Sequence, residues 1–197
     1  MRRRRSYGRT NKKEIGYEKF RCTHSEHELP MSYGCDAPTY YYDVPENERQ
    51  QRFEINSDIC IMDDEYYFIQ GCLEIPIINS NKVFTWNVWV SLSEESFNKT
   101  MELWETEGRK TEDPYFGWLS TSILGYPDTL NLKTNVYTRD IGIRPYIELE
   151  PNDHPLAVEQ REGITLERIA EMKEIVAQKT LFPKLPSDQL VNYIYSR

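Results

Sequence analysis

The stretch from Asp58 to Leu92 leaves the fold little freedom. Asp58 to Met62 and Tyr66 to Ile77 are β-branched and aromatic runs, and Asp63-Asp64-Glu65 between them has the composition of a tight turn, so together they read as a hairpin. Asn79, Ser80 and Asn81 make the next turn. From Val83 to Leu92, Phe84, Trp86, Val88, Val90 and Leu92 alternate with Thr85, Asn87 and Ser91, a period of two that buries one face of a strand. Trp89 falls on the more polar face, which marks it as a residue that covers a second surface or meets a ligand.

The flanking sequence adds strands and helices without a βαβ rhythm. Tyr17 to Cys22 and the aromatic run Tyr40, Tyr41, Tyr42 read as short strands, whereas Glu46 to Gln51 is charged and gives no clear signal. Ser91 or Ser93 caps a helix with Phe97, Met101 and Trp104 at helical spacing, ended by Gly108. Tyr115 to Leu119, Leu130 to Thr138 and Pro145 to Leu149 read as strands. An acidic, proline-bracketed turn around His154 follows, then a polar segment leading into a helix. Thr165 caps that helix, whose Leu166, Ile169, Met172 and Val176 form a core stripe; Pro183 and Pro186 break it before a short terminal helix. Strands, helix, strands, helix is the order of an α+β domain with a mostly antiparallel sheet and two main helices packed against it. One such domain is expected over residues 17–180, between a basic tail (1–16) and a C-terminal extension (181–197).

Composition narrows the function classes. No run approaches the roughly 18 apolar residues of a membrane helix, and no apolar segment follows the basic start as a secretory signal requires. Four cysteines without such a signal read as reduced thiols of a cytoplasmic protein. Residues 1–13 hold seven Arg and Lys and no acid, so the rest of a chain of net charge −8 carries about −15. Such a body repels phosphate backbones and attracts a basic protein partner. Only the tail, through Arg2, Arg3, Arg4 and Arg5, has the chemistry to touch nucleic acid.

Two clusters could carry chemistry. Cys22, His24 and His27 place one thiol and two imidazoles within six residues, but Ser25 stands where a zinc knuckle has its second cysteine. His154, beside Asp153 and near Glu148, Glu150 and Glu159, could be a general base oriented by a carboxylate or a metal-assisted site. The competing reading is local: Asp153 or Asn152 caps a turn and His154 bonds to the backbone. Nucleophile elbows and phosphate-cradling glycine loops do not occur. The aromatic supply exceeds what one face of a small sheet must bury, and Tyr40, Tyr42, Trp89, Tyr115 and Trp118 are candidates for a binding surface, with Asp153 and His154.

Several phrases, in one order, resemble a bacterial family, domain of unknown function 2199: SYGCDAP, SDICIMDDEYYFIQGCLEIPI, WNVWVSLSEESF, PYFGWL, YPDTLNLKTNVYTR and IELEPNDHPLAVEQREGIT. The resemblance spans roughly residues 20–177 and implies a single-domain cytoplasmic bacterial protein without an established activity. The family commonly begins with Cys-x-x-Cys-Gly-x-x-His; here Cys22 matches, while Ser25 and Glu26 replace the second cysteine and the glycine. No cofactor is expected. Charge, aromatics and the missing catalytic set point to a binding protein, an immunity protein that neutralises a cognate toxin; a hydrolase built on His154 is the alternative.

Overall fold

The hairpin and the alternating strand after it are the frame of the molecule. A computed structural model describes residues 29–181. Strands β1 (Ser32–Gly34), β2 (Phe53–Ile55), β3 (Ile59–Met62), β4 (Tyr66–Pro76) and β5 (Val83–Leu92) precede β6 (Tyr115–Leu119), β7 (Lys133–Tyr137) and β8 (Tyr146–Leu149). Helices α1 (Thr39–Asp43), α2 (Glu46–Arg52), α3 (Glu94–Glu102), α4 (Pro155–Glu162) and α5 (Leu166–Leu181) are interspersed.

The α+β class holds, but the sheet is not a simple antiparallel one, and the described residues hold five α-helices where two main ones are expected. Strands β4 to β8 form an antiparallel meander in which β4 also pairs with β8, closing a five-stranded barrel. An odd number of up-and-down strands sends the first and last in the same direction, so the closing pair is parallel, at Cys72 and Tyr146. Gly71 makes that approach possible: a Cβ there would stand 2.5 Å from the Ile147 side chain and 2.9 Å from the Pro145 carbonyl oxygen. Beyond β4, β3 and β2 extend the sheet; beyond β5, β1 adds a parallel edge strand.

The seam is short, and a side chain completes it. Gln160 on α4, 7% exposed, donates Nε2 to the Ile147 carbonyl and accepts the Leu149 amide at Oε1, both at 2.8 Å. It supplies to β8 the two bonds that a longer β4 pairing would have made.

The predicted alternation in β5 is the barrel's interior. Phe84, Trp86, Val88 and Val90 are buried with Ile69, Leu73 and Ile75 of β4, Leu119 of β6, Val136 of β7 and Ile147 of β8. Phe97 of α3 and Ile169, Met172 and Val176 of α5 seal it. Leu166, expected in that stripe, is 48% exposed, because the helix begins there at the barrel's end. The caps follow the sequence: Ser93 accepts the Ser96 amide at 3.2 Å and Thr165 the Arg168 amide at 3.2 Å.

A second, smaller core lies outside the barrel wall. Phe68 and Trp89 point away from the interior and are covered by Cys35, Val44, Phe53 and Cys60, with Tyr40 and Tyr41 at the margin. The covering segment is pinned by the Cys35 carbonyl, which accepts from Gln70 Nε2 (2.9 Å) and Trp89 Nε1 (3.1 Å). Tyr40 to Tyr42, expected as a strand, belong to α1, since Pro38 and Pro45 bracket a single helical turn whose Tyr41 ring packs 4.9 Å from Phe53. Glu46 to Arg52 form α2, with Glu46 and Glu48 at its positive end and Arg49 and Arg52 at its negative end.

Three further boundaries differ from expectation. Helix α3 stops at Glu102, before Gly108. Strand β7 starts at Lys133, because Asn131 at φ 60° turns the preceding residues out of line. The polar segment after His154 is itself helix α4. The predicted strand at Tyr17 to Cys22, the whole basic tail and the terminal extension beyond residue 181 lie outside the described residues.

Candidate interaction face

Among the described residues, the outer wall of the barrel is covered on one side: α1 and α2 lie over β4 and β5, whereas the outward side chains of β6 and β7 include the exposed Phe116, Trp118 and Tyr137. Alternation in β6 sends Tyr115, Gly117 and Leu119 inward and Phe116 and Trp118 outward, where they are 45% and 40% exposed. The two rings meet edge to face, with centroids 5.1 Å apart. Asn135 and Lys133 of β7 stand opposite them, and Asn135 is in turn opposite Glu148 of β8. Lys133 lies 3.8 Å from Glu150. Tyr137, also exposed, donates its hydroxyl to Glu148 at 3.0 Å, a bond that raises the Tyr137 pKa. The result is an aromatic ridge with a fixed polar border, the composition of an interface centre and its rim.

The predicted binding residues do not converge. Trp118 belongs to this ridge. Tyr115 and Trp89 are core residues, at 9% and 0% exposure. Tyr40 and Tyr42 sit half-buried on α1; Tyr40 donates to Asn131 at 3.1 Å, and Tyr42 faces the Arg49 guanidinium. Asp153 and His154 lie at the start of α4. Phe116 and Tyr137 join the ridge beside the expected Trp118, and the alternation in Tyr-Phe-Gly-Trp-Leu is the signal that puts Phe116 on its face.

His154 takes the local role. Its amide donates to Asn152 Oδ1 at 2.8 Å, and its Nδ1 accepts the Leu156 amide at 3.2 Å, capping α4. Accepting at Nδ1 places the ring proton on Nε2, which is enclosed and has no hydrogen-bond partner among the described residues. The lone pair a general base would use is thus committed to the cap.

Three of the neighbouring carboxylates, Glu148, Glu150 and Glu159, are engaged elsewhere. Glu148 holds Tyr137 and Glu150 faces Lys133. Glu159 accepts the Tyr126 hydroxyl and pairs with Arg168 at 3.0 Å, while Arg168 also donates to the Gly125 carbonyl and lies over the Tyr126 ring. Burial, then the Glu159 carboxylate, pushes the Tyr126 pKa strongly upward. This cluster ties the 125–126 loop to α4 and α5.

Cys22, His24 and His27 lie outside the described residues. Cys35 and Cys60 are buried and Cys72 half-buried, none of them in a disulfide, and burial pushes the Cys60 thiol up to about 12, a poor nucleophile at neutral pH. Among the described residues no three His, Cys, Asp or Glu side chains gather to hold a metal, and no helix is long and apolar enough to cross a membrane.

Comparison with known proteins places the chain by family alone, since no curated protein and no solved structure matches it. A family profile described as an uncharacterized protein conserved in bacteria matches residues 20–164, and the chain belongs to that family, domain of unknown function 2199.

Proposed function

We propose that this chain is a binding protein of the bacterial cytoplasm that acts by occluding a protein partner, as an immunity protein does when it neutralises a toxin. The observation that carries the reading is the open aromatic ridge, Phe116 and Trp118 on a wall whose other half the chain itself covers. Exposed large aromatics in a polar border are the usual anchors of protein interfaces. A net charge of −8 favours a basic partner, such as a toxin that acts on an anionic substrate. The commitment of His154 to a helix cap is consistent with binding rather than catalysis.

The test is capture by the tagged full chain from host lysate at moderate salt, quantified for stoichiometry, beside the double variant Phe116→Ser/Trp118→Ser. One basic protein near one-to-one with the wild type and lost with the variant supports the reading. Recovery of no stoichiometric partner, or equal recovery by the variant, refutes it. Both substitutions are on the surface, so the fold is expected to persist.

A further inference from the structure

The loop from β7 to β8 carries apolar side chains where a turn ordinarily carries polar ones. Asp140 to Ile143 is a turn in which the Ile143 amide donates to the Asp140 carbonyl at 3.1 Å, and Gly142, at φ 80°, supplies its left-handed position. Gly, Pro, Asn, Asp and Ser dominate such turns for reasons of backbone geometry and local bonding. Ile141 and Ile143 offer neither, and they are 47% and 48% exposed. A Cβ added to Gly142 would meet no atom within 4 Å, so the tip stands clear of the body. Folding gives no reason for two isoleucines here.

The tip is held from inside. Arg109, 4% exposed, donates Nε to the Arg139 carbonyl (2.7 Å) and Nη2 to the Asp140 and Ile143 carbonyls (3.1 and 3.2 Å). Its Nη1 donates to the Trp104 carbonyl at 2.6 Å, and its guanidinium lies 5.3 Å from the centre of the Trp104 ring. Burying a guanidinium carries a desolvation penalty that these four carbonyls offset, and three of them belong to the turn and its approach. The isoleucines are therefore presented on an ordered support, which lowers the entropy lost on docking.

The same arginine draws the segment after α3 against the turn. Glu102, Glu105, Glu107 and Asp113 of that region are exposed and bridged by no cation among the described residues. The cations beside the turn are each paired, Lys110 with Asp140, Arg139 with Glu74 and Arg144 with Asp58. The unbridged charges here are therefore the acidic ones, and an apolar tip among them complements an apolar stripe flanked by lysine or arginine. Tyr137 and Tyr146, the last cross-strand pair before the loop, join the tip to the aromatic ridge.

We propose that Ile141 and Ile143 are the anchor of the protein interface, and that the partner presents a basic amphipathic surface to them; this rests on the protein-binding reading above. The probe is a labelled amphipathic peptide of lysine and leucine, with its lysine–serine counterpart of equal charge, followed by fluorescence anisotropy against the full chain near physiological ionic strength. The wild type binds the lysine–leucine peptide, the serine counterpart binds much more weakly, and Ile141→Ser/Ile143→Ser weakens binding by about tenfold or more. The anchor is overturned if that double variant binds as the wild type does, if the serine peptide binds equally, or if the wild type binds neither. Loss of binding in Phe116→Ser/Trp118→Ser but not in Ile141→Ser/Ile143→Ser overturns the anchor while leaving the ridge, and the function proposed for it, standing. The lysate capture decides the broader reading separately.

Discussion

Replacing Gln160 by alanine strips two hydrogen bonds from the barrel at its least supported point. The side chain is 7% exposed and makes both bonds at 2.8 Å, one to the Ile147 carbonyl and one from the Leu149 amide. Each buried backbone group left without a partner costs about 1–3 kcal/mol, so the variant should lose roughly 2–6 kcal/mol. For a domain of this size each kcal/mol lowers Tm by about 2–4 °C, which puts the expected fall at roughly 4–24 °C. Urea titration gives the energy, provided the slope is unchanged. Amide exchange at Leu149 gives the location, since that proton loses its acceptor. Gln160→Glu sharpens the test, because a carboxylate still accepts from Leu149 but faces the Ile147 carbonyl with no proton to give. The new carboxyl would have a raised pKa in the fold, so this variant should gain stability as pH falls. A loss under about 0.5 kcal/mol in Gln160→Ala, or unaltered Leu149 protection, would refute the seam argument.

Other consequences are open to simpler measurement. Gly71→Ala should destabilise the protein by about 1–3 kcal/mol, because its Cβ would stand 2.5 Å from Ile147, and Ile147→Val in the same chain should recover part of the loss in a urea titration. Ser93→Ala removes the acceptor for the Ser96 amide and should cost about 1 kcal/mol with no effect on partner capture. Asp63 is held below its ordinary carboxylate value of 3.8 by its hydrogen bond from Arg52. Its contribution is therefore present above that value and lost as pH falls through the lowered one, and Asp63→Asn should slightly flatten the acid side of a stability–pH profile. An unchanged profile would remove that bridge from the account, a modest correction because the pair is solvent-exposed.

What could be read from the sequence was what neighbours along the chain decide. The β3–β4 hairpin needed only its turn, where Asp63 and Asp64 both adopt positive φ, and β5 needed only its alternation. Trp89 could not be placed that way: it faces out of the barrel, and it is buried because residues 35–53 fold back over it, a contact made across some fifty residues of chain. The three tyrosines of α1 have strand propensity, but the prolines on either side and the packing of Tyr41 on Phe53 override it. At His154 the chemistry of a catalytic base and that of a helix cap use the same residue types, and the proline after it, at the first position of α4, is the signal that favoured the cap. Gln160 left a trace as well, standing four residues after Leu156 on the buried face of a polar helix.

The odd strand count also bears on how the barrel assembles. Each antiparallel pair of the meander joins strands adjacent in sequence, whereas the parallel pair joins Cys72 to Tyr146 across 74 positions. Closing so long a loop carries the larger entropic penalty, and pairings of that kind form late. Before closure, β8 and the part of β4 beyond its pairing with β3 are unprotected edges of a curled sheet, open to pairing with another molecule. In the folded chain Gln160 of α4 occupies the free Ile147 and Leu149 groups of β8, so that edge no longer offers them to a second molecule.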